Sequence, residues 1–428
     1  MRAAKARGKR MGGMVVESKI PWIRFQKTFG CGTVRGQKVL DRFDGRPEAI
    51  FREPVKKLAD TGLFSAAELK NMTTTGSEES AEKVLDFCED NGCEAMTPDN
   101  PDYPVSLRQI YNYPAVLYVR GSLSGLDEAL AIAMVGTRRP TDYGLKAADH
   151  IAGGLSEKGA VIVSGLAKGI DAASHTAALK AGGRTIAVLG CGIDIVYPAE
   201  NAQLAELIVR YGGAVVTEFP PGTPPMRYNF PIRNRVISGL SNGVVIVEGT
   251  RCSGSLITAG HAYSQNRDVF AVPGSIFSTA SEGPNYLLAQ HAKAVDCVEA
   301  ILEEYEYRIQ WEPRRAEKIN SQKTLSSFEE SEKNGYNDER QPERKGRSKA
   351  RPNRDERKKE APVRQPLPTY LGEAQRKVCE VLSGEEPRTA DYITAQSGLA
   401  ASAVLSALTQ LEISGLVGTH PGKRFSLV

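Results

Sequence analysis

The sequence predicts an α/β protein built on a mostly parallel, doubly wound sheet, with a small helical domain ahead of it and a compact unit behind. Three observations carry that prediction. Six short apolar runs between residues 131 and 272 alternate with amphipathic segments. Each run is rich in β-branched residues and apolar on both faces, as parallel strands covered by helices on both sides must be. Residues 15–97 instead space their apolar positions for helices, and a stretch poor in large apolar side chains, residues 308–368, separates the sheet region from the end of the chain.

Taken in order, the first 14 residues carry Arg2, Lys5, Arg7, Lys9 and Arg10 with no apolar run behind them, so they read as a disordered basic arm and not a secretory leader. Met11 and Met14 are alternative starts. In residues 15–97, Pro47 to Phe51 and Ala81 to Cys88 have the spacing of short helices. Pro98 to Gly121, rich in Pro and Tyr, is expected to be an extended lead-in to a domain ending near residue 307. Strands are expected at 131–135, 160–163, 185–189, 214–217, 244–247 and 269–272. Residues 308–368 bury too little to offset their ordering entropy and read as a charged, disordered tether. Residues 369–428 form the last unit.

At 428 residues the chain has room for two or three domains. Its formal net charge of +4 is too small to imply a nucleic-acid partner, so the placement of charge must decide. No apolar stretch is long enough to cross a bilayer, and a cytoplasmic protein without membrane partners is expected. Of the seven cysteines only Cys88 and Cys93 lie close together, with no second Cys/His pair to complete a zinc site. His150, His175, His261, His291 and His420 show neither triad nor metal spacing, so no catalytic residue, metal or cofactor is expected.

Ligands of open α/β sheets bind at the carboxyl ends of the strands, and the unusual residues crowd there. Gly136, Thr137, Arg138 and Arg139 follow the first expected strand; Ser164, Gly165 and Lys168 follow the second. A Pro/Gly loop after the fourth ends in Phe230, Arg233, Asn234 and Arg235, and Ser253, Gly254 and Ser255 follow the fifth. Each loop opens a helix whose free N–H groups favour an anion. Phe230 offers a flat face for a base. Any one of these residues alone reads as a turn glycine, a solvated charge or a core aromatic; three basic loops on one sheet edge read as a site for a phosphate backbone. A dinucleotide fits poorly, because bulky Arg138 stands where the second glycine of Gly-x-Gly-x-x-Gly belongs, and no Walker-type ending is present.

These motifs resemble the DprA/Smf family. The resemblance runs through Gly136-Thr137-Arg138-Arg139-Pro140-Thr141, Ser164-Gly165-Leu166-Ala167-Lys168-Gly169, Val188-Leu189-Gly190-Cys191-Gly192 with Tyr197-Pro198, Phe230-Pro231-Ile232-Arg233-Asn234-Arg235, Ser253-Gly254-Ser255-Leu256-Ile257-Thr258 and Ala271-Val272-Pro273-Gly274-Ser275. It implies an extended Rossmann-like domain behind a helical, SAM-like N-terminal domain. It also implies sequence-independent binding of single-stranded DNA in natural transformation, loading of RecA recombinase, a homodimer formed through the Rossmann-like domain, and no turnover. By motif, Arg138, Lys168, Phe230, Arg233 and Asn234 line the DNA pocket. The chain departs from the family at Phe29-Gly30-Cys31-Gly32, where a Pro-Gly-Ile-Gly hairpin is usual, and at Gln290-His291-Ala292, where Gln-Gly-Ala is.

The last unit resembles a winged helix: Val404, Leu408 and Leu411 mark one apolar helix face, and Gly415, Gly418 and Gly422 punctuate a wing. Residues 400–407 of its expected recognition helix hold no Arg, Lys, Asn or Gln to read base edges. Protein contact, or backbone contact through Lys423 and Arg424, is expected in place of sequence reading. Two rivals follow: a regulator acting through the winged helix, and a phosphoribohydrolase of the LOG type. Against the latter, Glu248-Gly249-Thr250-Arg251-Cys252-Ser253 lacks a carboxylate where the catalytic one would follow.

Overall fold

The computed structural model describes residues 19–306, 372–382, 388–413, 416–420 and 424–427, so the basic arm and the tether expected from the sequence lie outside the described residues. The chain divides into two compact units, Met1–Ile319 and Asn320–Val428.

In the first unit all six expected strands are present, each within one residue of its expected ends: β3 (Ala131–Val135), β4 (Val161–Ser164), β5 (Thr185–Val188), β6 (Ala214–Thr217), β7 (Gly243–Ile246) and β8 (Asp268–Ala271). Three more join them: β1 (Glu94–Met96), β2 (Leu117–Gly121) and β9 (Lys293–Ala294). The order is β1-β2-β6-β5-β4-β3-β7-β8-β9, parallel from β6 to β9, with β1 and β2 antiparallel at one edge. The sheet therefore starts upstream of residue 98, inside the segment expected to be wholly helical, and the lead-in contributes a strand and a short helix, Val105–Arg108, instead of extended chain only.

Successive strand residues feed two cores. Ala131, Ala133, Val135, Val163, Val188 and Ile246 face one side, packed by helices Asn229–Gly239 and Gly254–Ser264 through Val236, Ile237, Ala259 and Ala262. Ile132, Met134, Ile162, Val245 and Phe270 face the other, packed by helices Asp142–Glu157 and Ile170–Lys180 through Ile151, Leu155 and Ala178. Burial on both faces is why the strands read as continuous apolar runs.

Six helices between Ile20 and Asp90 pack beside the antiparallel edge. The first, Ile20–Phe29, buries Trp22, Ile23, Phe25 and Phe29. Its Gln26 side chain donates to Val116 O and Glu218 O at 3.2 and 2.7 Å and accepts from the Tyr118 hydroxyl at 2.8 Å. A buried amide satisfied this fully fixes the helix on the sheet.

The second unit holds helices Glu373–Val381, Ala390–Ser397 and Ala401–Ile413 with β10 (Arg388–Thr389), β11 (Val417–His420) and β12 (Arg424–Leu427) in the order β10-β12-β11. Val404, Leu408 and Leu411 are buried with Val378 and Ile393. This is the expected winged helix. Arg424 is exposed, while Lys423 lies outside the described residues. Among the described residues no helix is long and apolar enough to cross a membrane.

Candidate nucleic-acid interface

The mouth of the site forms where the loops after β3, β4 and β5 meet the start of helix Asn229–Gly239. Thr137 N–H donates to Glu248 O at 2.8 Å, tying the loop after β3 to the loop after β7 and leaving Arg138 and Arg139 exposed. Phe230, in the first turn of that helix, is partly exposed. The Arg138 guanidinium carbon lies 5.3 Å from the Phe230 ring centroid, and the Tyr197 ring centroid lies 5.8 Å from it. A Cβ on Gly190 would stand 2.8 Å from the Phe230 ring, so only glycine at the end of β5 lets the ring lie down there.

Beneath the ring sits Arg233, 5% exposed. Its guanidinium, 5.8 Å from the Phe230 centroid, donates to Gly165 O at 2.7 Å and to Val188 O, while its Nε donates to Asn234 Oδ1 at 3.1 Å. A Cβ on Gly165 would meet that guanidinium at 2.6 Å. Burial lowers the Arg233 pKa to about 10, opposed by the carboxylate of Asp171, so the side chain stays protonated at neutral pH. Asn234 continues the floor, donating to Gly254 O at 3.2 Å and joining the two helices that open at this edge.

All the expected site residues but Arg235 therefore sort into three groups. Arg138, Arg139, Lys168, Phe230 and Ser253 reach the surface at least in part. Lys168 pairs with Glu200 at 2.6 Å, both side chains more than half exposed. Gly136, Thr137 and Gly254 shape the rim, Gly136 by leaving room for Ile170. Arg233, Asn234, Gly165, Ser164 and Ser255 make the floor: the Ser164 hydroxyl donates to Met134 O at 2.6 Å, and Ser255 Oγ meets Ser253 Oγ at 2.6 Å.

Arg235 is placed elsewhere. It is 3% exposed and paired with Glu218, itself 3% exposed, at 2.5 Å. Glu218 also accepts the Gly32 N–H at 3.0 Å, so the Phe29-Gly30-Cys31-Gly32 turn is held by a protein carboxylate. Two residues further along a helix the side chain points some 200° round the axis, towards the N-terminal helices and away from Phe230. Sequence reasoning missed Tyr197 and Glu200; the Tyr197-Pro198 motif was the available signal for the first. Glu248, 1% exposed, accepts from Thr141 N and Oγ1 at 2.9 and 2.6 Å and is spent on capping the helix after β3.

An exposed cation over a partly exposed aromatic ring, above a hydrogen-bonded floor, can hold a phosphate and, by giving way, let a base stack. Known proteins resemble this chain in both of its units. Residues 94–306 match the family described as DNA recombination-mediator protein A, and residues 360–423 match the DprA winged helix domain. The chain is 43% identical over 258 residues to DNA processing protein DprA of Bacillus subtilis, covering 60% of this chain and 86% of the relative. It is 35% identical over 343 residues to protein Smf of Escherichia coli, covering 80% of each. The X-ray structure of DNA processing protein A from Streptococcus pneumoniae superposes with a TM-score of 0.59 at 34% identity, over 68% of this chain and 99% of that one.

Proposed function

The chain belongs to the DprA/Smf family of DNA processing proteins, and on that premise we propose that its sheet edge binds single-stranded DNA without reading sequence and delivers it to RecA recombinase. The observation that carries the reading is the Phe230 ring, partly exposed and faced by Arg138 at 5.3 Å. A base stacked on that face needs an unpaired strand, because a duplex keeps its bases stacked on each other. Arg138, Arg139 and Lys168 supply backbone neutralisation that is indifferent to sequence. The role proposed is binding and delivery, in the cytoplasm, by a homodimer formed through the Rossmann-like domain. Bond-making chemistry is not part of it.

Anisotropy of a labelled single strand and of a duplex of equal length tests the binding. The single strand is expected to bind at least about fivefold tighter, one stacked base contributing roughly 1–3 kcal/mol. Equal affinity, or preference for the duplex, contradicts the reading. Delivery is tested apart: the wild type is expected to speed RecA filament growth on a single strand and the Phe230→Ala variant to do so less.

A further inference from the structure

Further along the same edge the chain displays an apolar pair that is left exposed among the described residues. After β8 a β-turn closes with Ser278 N–H donating to Ser275 O at 3.0 Å, and its two tip residues, Ile276 and Phe277, are 82% and 92% exposed. The turn is held from below. Gly274 exchanges two hydrogen bonds with the Asn285 side chain, at 3.3 and 3.1 Å, and the Tyr143 hydroxyl donates to Pro273 O at 2.6 Å. Gly249 N–H donates to Ala280 O at 2.6 Å. Tyr143 belongs to the helix that follows Arg138 and Arg139, and Gly249 to the loop after β7, so the turn is fixed to the segments beyond β3 and β7, two of the three loops that lie between β8 and β5.

Those loops are cationic. Residues 136–141 and 247–253 carry Arg138, Arg139 and Arg251 against one carboxylate, and that one, Glu248, is buried on Thr141. We propose that the Ile276-Phe277 turn is a second stacking platform for the single strand received at Phe230, reached across these three arginines. The proposal rests on the single-strand reading of the mouth. Phe230 lies on Gly190 at the end of β5, and β8 stands four places along the sheet from β5. At about 4.8 Å between neighbours that is roughly 19 Å. A strand covers it with at most about six phosphates at a duplex rise of 3.4 Å, and with fewer when extended. The span falls within the few nucleotides that one compact single-strand site usually takes. Phe277 gives this turn a flat apolar face held in place in water, which stacking needs, and Ile276 adds an apolar edge beside it.

The test uses the full chain and oligo-dT of about 2 and about 12 nucleotides, lengths chosen to fill one platform or to span both. The double variant Ile276→Ala/Phe277→Ala changes only exposed side chains, and circular dichroism should confirm an unchanged fold. Its affinity for the longer strand is expected to fall about tenfold and for the shorter to stay within about twofold, as loss of one stacking contact requires. Phe230→Ala should weaken both. In Phe277→Trp the new indole fluorescence should be quenched by the longer strand. Wild-type affinity of the double variant at both lengths, with Phe230→Ala still impaired, overturns the second platform and leaves the mouth standing. No binding of either length by the wild type overturns the mouth itself. A lower oligomeric state of the double variant, at unchanged affinity, assigns the turn to a second copy of the chain and overturns the proposal.

Discussion

Arg138 and Arg233 both face the Phe230 ring, at 5.3 and 5.8 Å from its centroid, yet one is exposed and the other only 5% exposed. The loop after β3 keeps its guanidinium groups in water, where a phosphate can reach them. The helix Asn229–Gly239 takes Arg233 and Arg235 into the protein, where carbonyls of Gly165 and Val188 hold the first and Glu218 the second. Charge of one kind therefore serves two ends: outside it is available to a ligand, and inside it builds the floor and the joint with the N-terminal helices. Desolvation decides which, because a buried charge must be matched by partners supplied by the fold.

The largest expected effect separates the two sets outright. Arg235→Ala leaves Glu218 buried without its counterion and should cost roughly 3–5 kcal/mol of stability, and Arg233→Ala a similar amount. Arg138→Ala, on the surface, should change stability by less than about 0.5 kcal/mol. Urea unfolding of the three variants checks this, and equal losses would erase the distinction.

A second effect comes from His175, fully buried near Arg233, with Nδ1 2.7 Å from Thr185 Oγ1. Burial lowers its pKa from 6.5 to about 3. The native state thus excludes a proton that the unfolded chain accepts below pH 6.5, so the contribution is complete above that pH and is lost as pH falls towards 3. The slope is about 1.4 kcal/mol per unit, or about 2 kcal/mol at pH 5. Thermal unfolding of the wild type from pH 7 to 5 should show this fall, and His175→Gln should flatten it. Parallel profiles would place the titration elsewhere.

The smallest effect concerns Lys168, which at the surface pairs with Glu200. A strand must compete with that carboxylate for the ammonium group. Glu200→Gln should therefore tighten single-strand binding by up to about 1 kcal/mol, the scale of an exposed ion pair, and less at high salt. Weaker binding by this variant would mean that Glu200 positions Lys168 for the strand.

The fold was legible where physics repeats itself along the chain. Strands buried on both faces give unbroken apolar runs, and once β3, β4 and β7 are placed, the loops at their carboxyl ends follow. β1 and β9 were not legible, since three and two residues carry no period, and β2 was hidden in a Pro- and Tyr-rich segment whose strand pairs antiparallel at the edge. Within the site, neighbours on the chain could be named but their burial could not. Phe230-Pro231-Ile232-Arg233-Asn234-Arg235 reads as one cationic surface patch, whereas the helix sends Arg233 under the ring and Arg235 to Glu218, 17 residues back, whose backbone carbonyl accepts from Gln26 across 192 residues. That partner comes from tertiary packing, which no local pattern records.

The central claim, that a base stacks on Phe230 while exposed cations hold the backbone, is tested most directly by the salt dependence of single-strand affinity. Titrating one oligonucleotide into wild type, Arg138→Ala and Phe230→Ala over a range of salt separates the two contacts, because only neutralised phosphates release counterions. Arg138→Ala should flatten the log–log slope by about 0.7, the share of one phosphate on a single strand. Phe230→Ala should lower affinity by roughly 1–3 kcal/mol at every salt concentration with the slope nearly unchanged. If Phe230→Ala costs nothing, or flattens the slope as much as Arg138→Ala does, the ring is only packing and the account of the mouth is wrong.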